Sequence, residues 1–290
     1  MPKHQCSNWY RSSKKLSNRF PVAKLLVSGF GCQVSVNIMD KKIERIARKI
    51  KERGSNIVFT GAGISTESGI PDYRSQGGIW DKFRPVYYDE FMRSRDAREE
   101  YWRRWNTLYA GIARAEPNAG HIAIAKLDRM GLLNGLITQN IDGLHQASGI
   151  AGEKIIELHG NTRRIRCMTC REIIPTEEIQ ARLNSGDAAP QCQCGGYLKP
   201  DTISFGQAMP VKEVEKAAVL SRTSDFFLVV GSTLLVQPAA HMPIYAKQNG
   251  AFLAIVNLSE TPCDDMCEVL IRGKAGELLE EIVKEVEGCS

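Results

Sequence analysis

No apolar run in the 290 residues approaches the ~20 consecutive residues that a membrane-spanning helix requires, so a membrane partner is not expected. Nor is there an excess of one charge over the body of the chain. The formal net charge is +5, yet Lys3, Arg11, Lys14, Lys15, Arg19 and Lys24 all precede Asp40, and no acidic residue does. From Asp40 onward 32 basic residues face 33 acidic ones. A near-neutral body has no basic stripe for phosphates, which argues against direct nucleic-acid binding. A secretory signal is also missing, so the nine cysteines do not read as a disulfide scaffold. Four of them sit in two tight pairs, which points to metal in a reducing compartment and makes a cytoplasmic location the expectation.

The first 39 residues hold Ser, Arg and Lys without acids, the composition of an organelle transit peptide, but lack a clean amphipathic period or cleavage site. At Met39-Asp40-Lys41-Lys42 the pattern changes, and the spacing of Ile43, Ile46, Ala47 and Ile50 is helical. Residues 1–39 are therefore expected to be a disordered extension or upstream sequence, with targeting as the alternative.

The remainder alternates helical patterns with short apolar runs. Asn56-Ile57-Val58-Phe59-Thr60, residues 132–138, Phe226-Phe227-Leu228-Val229-Val230 and residues 251–256 are continuous Val/Ile/Leu/Phe runs with little polar alternation. Strands buried on both faces look like this, so the fold class is α/β, a doubly wound parallel sheet of the Rossmann-like type. Two stretches interrupt the alternation: residues 79–116, aromatic and charged with helical spacing, and residues 161–202, which carry the paired cysteines. They predict a smaller helical and zinc-binding domain inserted into a core of about 40–78, 117–160 and 203–285. In open α/β sheets ligands bind beyond the carboxyl ends of the strands. The clusters Gly61-Ala62-Gly63, Gln139-Asn140-Ile141-Asp142, Gly231-Ser232-Thr233 and Asn257-Leu258 would all line one such crevice.

Gly61-x-Gly63 follows a strand, and its backbone amides could approach a pyrophosphate closely. The dinucleotide fingerprint wants a third glycine where Thr66 stands, which argues against an ordinary NAD dehydrogenase. Cys167-x-x-Cys170 and Cys192-x-Cys194, with 21 residues between them, have the spacing of a closed, structural Cys₄ site for one zinc ion. The second pair is tighter than the common knuckle, and Gly195-Gly196 after it can supply the backbone freedom that this requires. His159 ends the run Ile155-Ile156-Glu157-Leu158 and is suited to act as a base near neutral pH. His145 is read as orienting its loop and His121 as capping a helix.

Read whole, Gly61-Ala62-Gly63-Ile64-Ser65-Thr66-Glu67-Ser68-Gly69-Ile70-Pro71-Asp72-Tyr73-Arg74 and Thr138-Gln139-Asn140-Ile141-Asp142-Gly143-Leu144-His145 resemble the sirtuin family. The likeness continues through Leu158-His159-Gly160, the cysteine pairs, residues 199–206, residues 231–239 and Gly273-Lys274-Ala275-Gly276, covering about residues 40–285. The resemblance implies NAD as co-substrate and acyl-lysine proteins as partners. The acyl oxygen of a modified lysine attacks the anomeric carbon and nicotinamide leaves. A histidine base, His159, then activates a ribose hydroxyl, and the acyl group departs as O-acyl-ADP-ribose.

By the same resemblance Asn140 binds the ribose side of NAD and Asp142 the nicotinamide carboxamide. Ser65, Gln139 and Ile141 are further cofactor-binding residues, Tyr73 shields the reactive ribose, and Arg74 pairs with the diphosphate. Gly231, Ser232, Thr233, Asn257 and Ala275 hold the adenosine half, and Leu258 also belongs to the cofactor site. Phe205, Gly206 and Val236 belong to two stretches that would flank the substrate peptide as strands. Tyr101-x-x-Arg104 resembles the pair by which desuccinylase-type sirtuins grip an acidic acyl chain, although an amphipathic helix explains residues 98–105 equally well. The rival readings are a mono-ADP-ribosyltransferase using the same NAD site and a zinc-stabilised binding module without catalysis.

Overall fold

The computed structural model describes residues 30–52, 54–73, 78 and 84–288. Chain contacts separate residues 1–37 from a compact unit, Ile38–Ser290, which holds the later turns of the first helix and every element after it. Helix α1, Phe30–Lys51, leads into β1, Asn56–Thr60, and a 3₁₀ turn, Ala62–Ser68. Helices α2, Tyr88–Arg93, α3, Arg95–Arg114, and α4, Ala119–Arg129, precede β2, Gly135–Thr138. The short α5, Leu144–Ala147, is followed by β3, Ile155–Glu157, β4, Gly160–Cys167, and β5, Ile173–Pro175. Then come α6, Thr176–Asn184, β6, Leu198–Thr202, α7, Val211–Arg222, and β7, Phe226–Val230. The chain closes with α8, Met242–Gln248, β8, Phe252–Val256, β9, Val269–Ile271, and α9, Ala275–Gly288.

Six strands form one parallel sheet in the order β3-β2-β1-β7-β8-β9. The order reverses between β1 and β7, which is where such sheets open a crevice. Alternate residues of each strand enter opposite layers. Val58, Leu136, Leu228 and Val256 pack under α1, α4 and α9, whereas Ile57, Phe59, Val229 and Ile255 pack under α7 and α8. Both faces are dry, hence the unbroken apolar runs.

The inserted cysteine segment makes a second, antiparallel sheet, β5-β4-β6. It packs against the aromatic face of α3, where Trp102, Trp105 and Tyr109 meet Ile165, Ile179 and Leu198. Trp105 stacks on Tyr109 at 4.4 Å between ring centroids and donates its Nε1–H to Thr162 Oγ1 at 3.0 Å. The two sheets are stitched by charge: Arg164 of β4 bonds Glu157 of β3 (2.6 Å) and Asp201 of β6 (2.7 Å), and Arg166 bonds Asp201 at 2.6 Å. Burial raises the Asp201 carboxyl, but its bonds to Arg166 and Arg164 outweigh that and hold it below the usual range. No helix among the described residues is long and apolar enough to cross a membrane.

Candidate active site

The four strand-end clusters line one cleft of about 980 Å³, at the upper end of the range for small-molecule sites. Backbone and side chains lock them together. Gln139 N–H donates to Thr60 O (3.0 Å), Gly61 N–H to Val230 O (3.0 Å), Gly231 N–H to Val256 O (3.0 Å), and Gln139 Nε2 to Ser232 Oγ (2.8 Å). The glycines have a physical reason that their local sequence does not carry. A Cβ on Gly61 or Gly63 would lie 2.8 Å from Gly231, and Gly231 itself sits at φ +62° with a Cβ position 2.4 Å from Ile64 N. The loops after β1 and β7 thus touch backbone to backbone at the point where the sheet order reverses. The amides of Gly61 and Gly63, expected to serve a pyrophosphate, already donate to the carbonyls of Val230 and Gly231 (2.8 Å for Gly63).

Gly61, Ala62, Gly63, Tyr73, Gln139, Asn140, Ile141, His159, Gly231, Ser232, Thr233, Asn257, Leu258 and Ala275 all border the cleft. Ser65 and Asp142 do not. They lie buried behind it, Ser65 Oγ donating to Asp142 Oδ2 at 2.7 Å and receiving Asn140 Nδ2 at 3.1 Å. Asp142 Oδ1 accepts the Leu144 amide at 2.9 Å, so the carboxylate braces the turn into α5 from within. Arg74 lies outside the described residues. Tyr73 has its hydroxyl pushed up to about 12, by burial first and then by the negative charge of Asp142 and the Tyr101 ring, so it stays neutral.

His159 stands half-buried between β3 and β4. Its Nδ1 lies 2.9 Å from Gln139 O. A carbonyl only accepts, so Nδ1 carries the ring proton and Nε2 presents a lone pair. Burial lowers the imidazole pKa, and the bond to Gln139 opposes this in part, so the ring is neutral at pH 7 and ready to take a proton. Ile203 N–H donates to His159 O at 2.9 Å, tying His159 to the segment after β6.

Phe205, Gly206 and Val236 line the mouth of the cleft, where Phe205 and Leu235 are exposed. Neither stretch forms a strand here. Both are irregular, because β6 ends at Thr202 and residues 232–238 are loop and turn, so the expected strand form is not built in advance. Tyr101 and Arg104 border the same cleft near Pro85. Arg104 bonds Glu100 one helical turn earlier and the carbonyl of Arg84. Hydrogen bonds from Arg103 and Arg104 hold the Glu100 carboxyl down at about 2.

The four cysteine sulfurs lie within 4.8 Å of one another, Cys167 and Cys194 at 3.6 Å and Cys170 and Cys192 at 3.7 Å. Zinc–sulfur bonds of ~2.3 Å in a tetrahedron give sulfur–sulfur edges of ~3.8 Å, so these donors fit one zinc ion. Amides of Thr169 and Gly196 point at Cys167 and Cys194 Sγ, both at 3.4 Å, as suits thiolates. Gly195 at φ +80° makes the tighter Cys192-x-Cys194 turn.

Glu67 and Lys274 also border the cleft. Glu67 Oε1 accepts the Gly276 amide at the start of α9 at 2.7 Å, a contact between residues 209 apart that no local pattern announces. Both residues belong to the segments 61–74 and 273–276, but only the fold shows that these segments meet.

The Sir2 family model matches residues 61–238, which includes the β1 and β7 loops, His159 and all four cysteines. NAD-dependent protein deacetylase 1 of Bradyrhizobium diazoefficiens is 48% identical over 238 residues, spanning 82% of this chain and 93% of its own. The NAD-dependent protein deacetylase of Thermodesulfovibrio yellowstonii is 42% identical, over 85% of this chain and 96% of its own. A solved Sir2 complex with a p53 peptide and NAD+ is 34% identical, covers 86% of this chain and 99% of its own, and superposes with a TM-score of 0.77. Sequence, fold and the crevice at the sheet's reversal point agree: the chain belongs to the Sir2 family.

Proposed function

We propose that this chain is an NAD-dependent protein lysine deacylase, releasing nicotinamide and O-acyl-ADP-ribose. The observation that carries the reading is His159, which borders a cleft made by four strand-end loops and whose Nδ1–H is spent on Gln139, leaving Nε2 with its lone pair. Relatives named as NAD-dependent protein deacetylases support it and speak against the mono-ADP-ribosyltransferase alternative.

When bound, NAD supplies an anomeric carbon that the acyl oxygen of lysine attacks as the bond to nicotinamide breaks. Around that centre Asn140 holds the ribose side, and Asp142, with two of its acceptor positions filled by Ser65 and Leu144, orients the nicotinamide end from behind. Gly231, Ser232, Thr233, Asn257, Leu258 and Ala275 take the adenosine half, and Arg74 the diphosphate. His159 Nε2 receives the ribose hydroxyl proton as general base. Phe205, Gly206 and Val236 bind the peptide backbone. One zinc on Cys167, Cys170, Cys192 and Cys194 is structural, since all four of its positions are filled by protein. Tyr101 and Arg104 face the acyl chain, with Arg104 held by the Glu100 carboxylate that it shares with Arg103.

A panel of acetyl-, succinyl-, glutaryl-, lipoyl- and myristoyl-lysine peptides with NAD tests this, with products identified by mass spectrometry. His159→Ala is expected to bind NAD and lose turnover. Undiminished turnover would remove His159 as the base, and ADP-ribosylated protein with the acyl group retained would replace deacylation by transfer.

A further inference from the structure

Beneath the Gln139–Asp142 segment lie two histidines that the mechanism does not use. His121, from the first turn of α4, and His145, from α5, are 0% and 1% exposed, with ring centroids 4.9 Å apart and planes tilted by 54°. Each has one nitrogen engaged. Asn118 N–H donates to His121 Nδ1 at 3.3 Å, and His145 Nε2 lies 2.9 Å from Thr60 Oγ1. The other two nitrogens, His121 Nε2 and His145 Nδ1, are buried with no hydrogen-bond partner among the described residues.

The proton positions follow from what the partner of each ring can do. An amide only donates, so His121 Nδ1 accepts and its ring proton is on Nε2. The Thr60 hydroxyl spends its single proton on Thr138 Oγ1, so in its contact with His145 it accepts, which puts the His145 proton on Nε2. That N–H donates to Thr60 Oγ1. The Thr60 hydroxyl donates onward to Thr138 Oγ1 at 2.8 Å, and the same Thr138 oxygen receives the Asn140 amide at 3.0 Å. Thr60 and Thr138 end β1 and β2 and are 0% and 2% exposed, so the chain of direct hydrogen bonds is buried between the two strand ends. Burial lowers both imidazole pKa values, which keeps the rings neutral.

We infer that His145 is a positioning residue for the NAD-binding segment. In its Nε2–H tautomer it sets the direction of a hydroxyl relay through Thr60 and Thr138 that fixes the Asn140 amide. Gln139 O, which holds His159 in its own tautomer, is one residue away on the same segment, so the relay orients the NAD contact and the base together. The inference rests on the deacylase reading for its kinetic consequence, not for its chemistry.

Two measurements test it. Nitrogen-15 NMR of the imidazoles in the wild-type protein is expected to show neutral Nε2–H tautomers at both His121 and His145; an Nδ1–H tautomer at His145 would overturn the relay without any variant having to fold. Kinetically, glutamine places an amide N–H where His145 Nε2–H stood, and asparagine places it where Nδ1 stood. His145→Gln is expected to exceed His145→Asn by about tenfold in kcat/KM for NAD, the rate equivalent of one buried hydrogen bond. Thr138→Val should match His145→Asn and add little to it, and KM for the acyl-peptide should stay constant. Equal kcat/KM for the two His145 variants would also overturn the inference. Absence of turnover in the wild type would instead defeat the deacylase reading and leave the NMR result to decide the relay.

Discussion

Replacing Gly231 by alanine separates backbone strain from loop contact at the heart of the crevice. Gly231 lies at φ +62°, and alanine in the left-handed region costs about 1–2 kcal/mol. Its Cβ would also come within 2.4 Å of Ile64 N and 2.7 Å of Gly63 C, which are backbone atoms with no rotamer to change. Prying the β1 and β7 loops apart adds an overpacking cost of about 1–3 kcal/mol, for a total of about 2–5 kcal/mol. That is a large part of a typical stability of about 5–15 kcal/mol. Gly69 is the internal control: at φ +80° it has the same strain, but nothing lies within 4 Å of its Cβ position.

Urea unfolding monitored by far-UV circular dichroism should show Gly69→Ala losing about 1–2 kcal/mol and Gly231→Ala clearly more, with unchanged slope for both. Below the unfolding transition, Gly231→Ala should also raise KM for NAD, whereas Gly69→Ala should not. If the two variants lose the same stability, the loops do not bear on one another and the account of these glycines is wrong.

Two further outcomes can be measured directly. Elemental analysis of the purified protein should find one zinc per chain, and Cys167→Ser should lose it together with a marked fall in thermal stability; a full zinc complement in that variant would disprove the Cys₄ assignment. Acid should destabilise the fold through His121, whose pKa burial lowers to about 4 against the partial opposition of Asp142. The unfolded chain takes up this proton near pH ~6.5 and the folded one only near 4. Stability is therefore intact above ~6.5, falls by about 2–4 kcal/mol as pH drops through that window, and loses nothing more from this group below it. His121→Gln should flatten that part of the curve, and an unaltered pH dependence would contradict the burial argument.

The parts of this fold that were legible in the sequence are those written in one stretch of chain. β1, β2, β7 and β8 announced themselves because burial on both faces leaves Val58 and Phe59 equally apolar. The cysteine site was legible from spacing alone. β9, by contrast, is three residues long, Val269–Ile271, too short for a periodicity. The Glu67–Gly276 bond, the pairing of His121 with His145 and the pressure of Gly61 and Gly63 on Gly231 are products of the topology. Local residue types said that glycines and histidines stood there, not what they would touch. Residues 204–206 and 235–237, expected to pair with a substrate peptide as strands, are irregular without one, since an extended edge with no partner has no ladder to hold it.

The charge stitch between the sheets has a mechanical consequence for His159. Glu157 and Gly160 bracket His159, and Arg164 grips Glu157 while its other face, with Arg166, grips Asp201, two residues before Ile203, whose amide holds the His159 carbonyl. Glu157 and Asp201 side chains are only 13% and 16% exposed, so salt screens these bonds weakly. The histidine and the segment leading to Phe205 are thereby geared to one another, and a tilt of the cysteine-bearing sheet carries the imidazole and that rim of the cleft along the same arc.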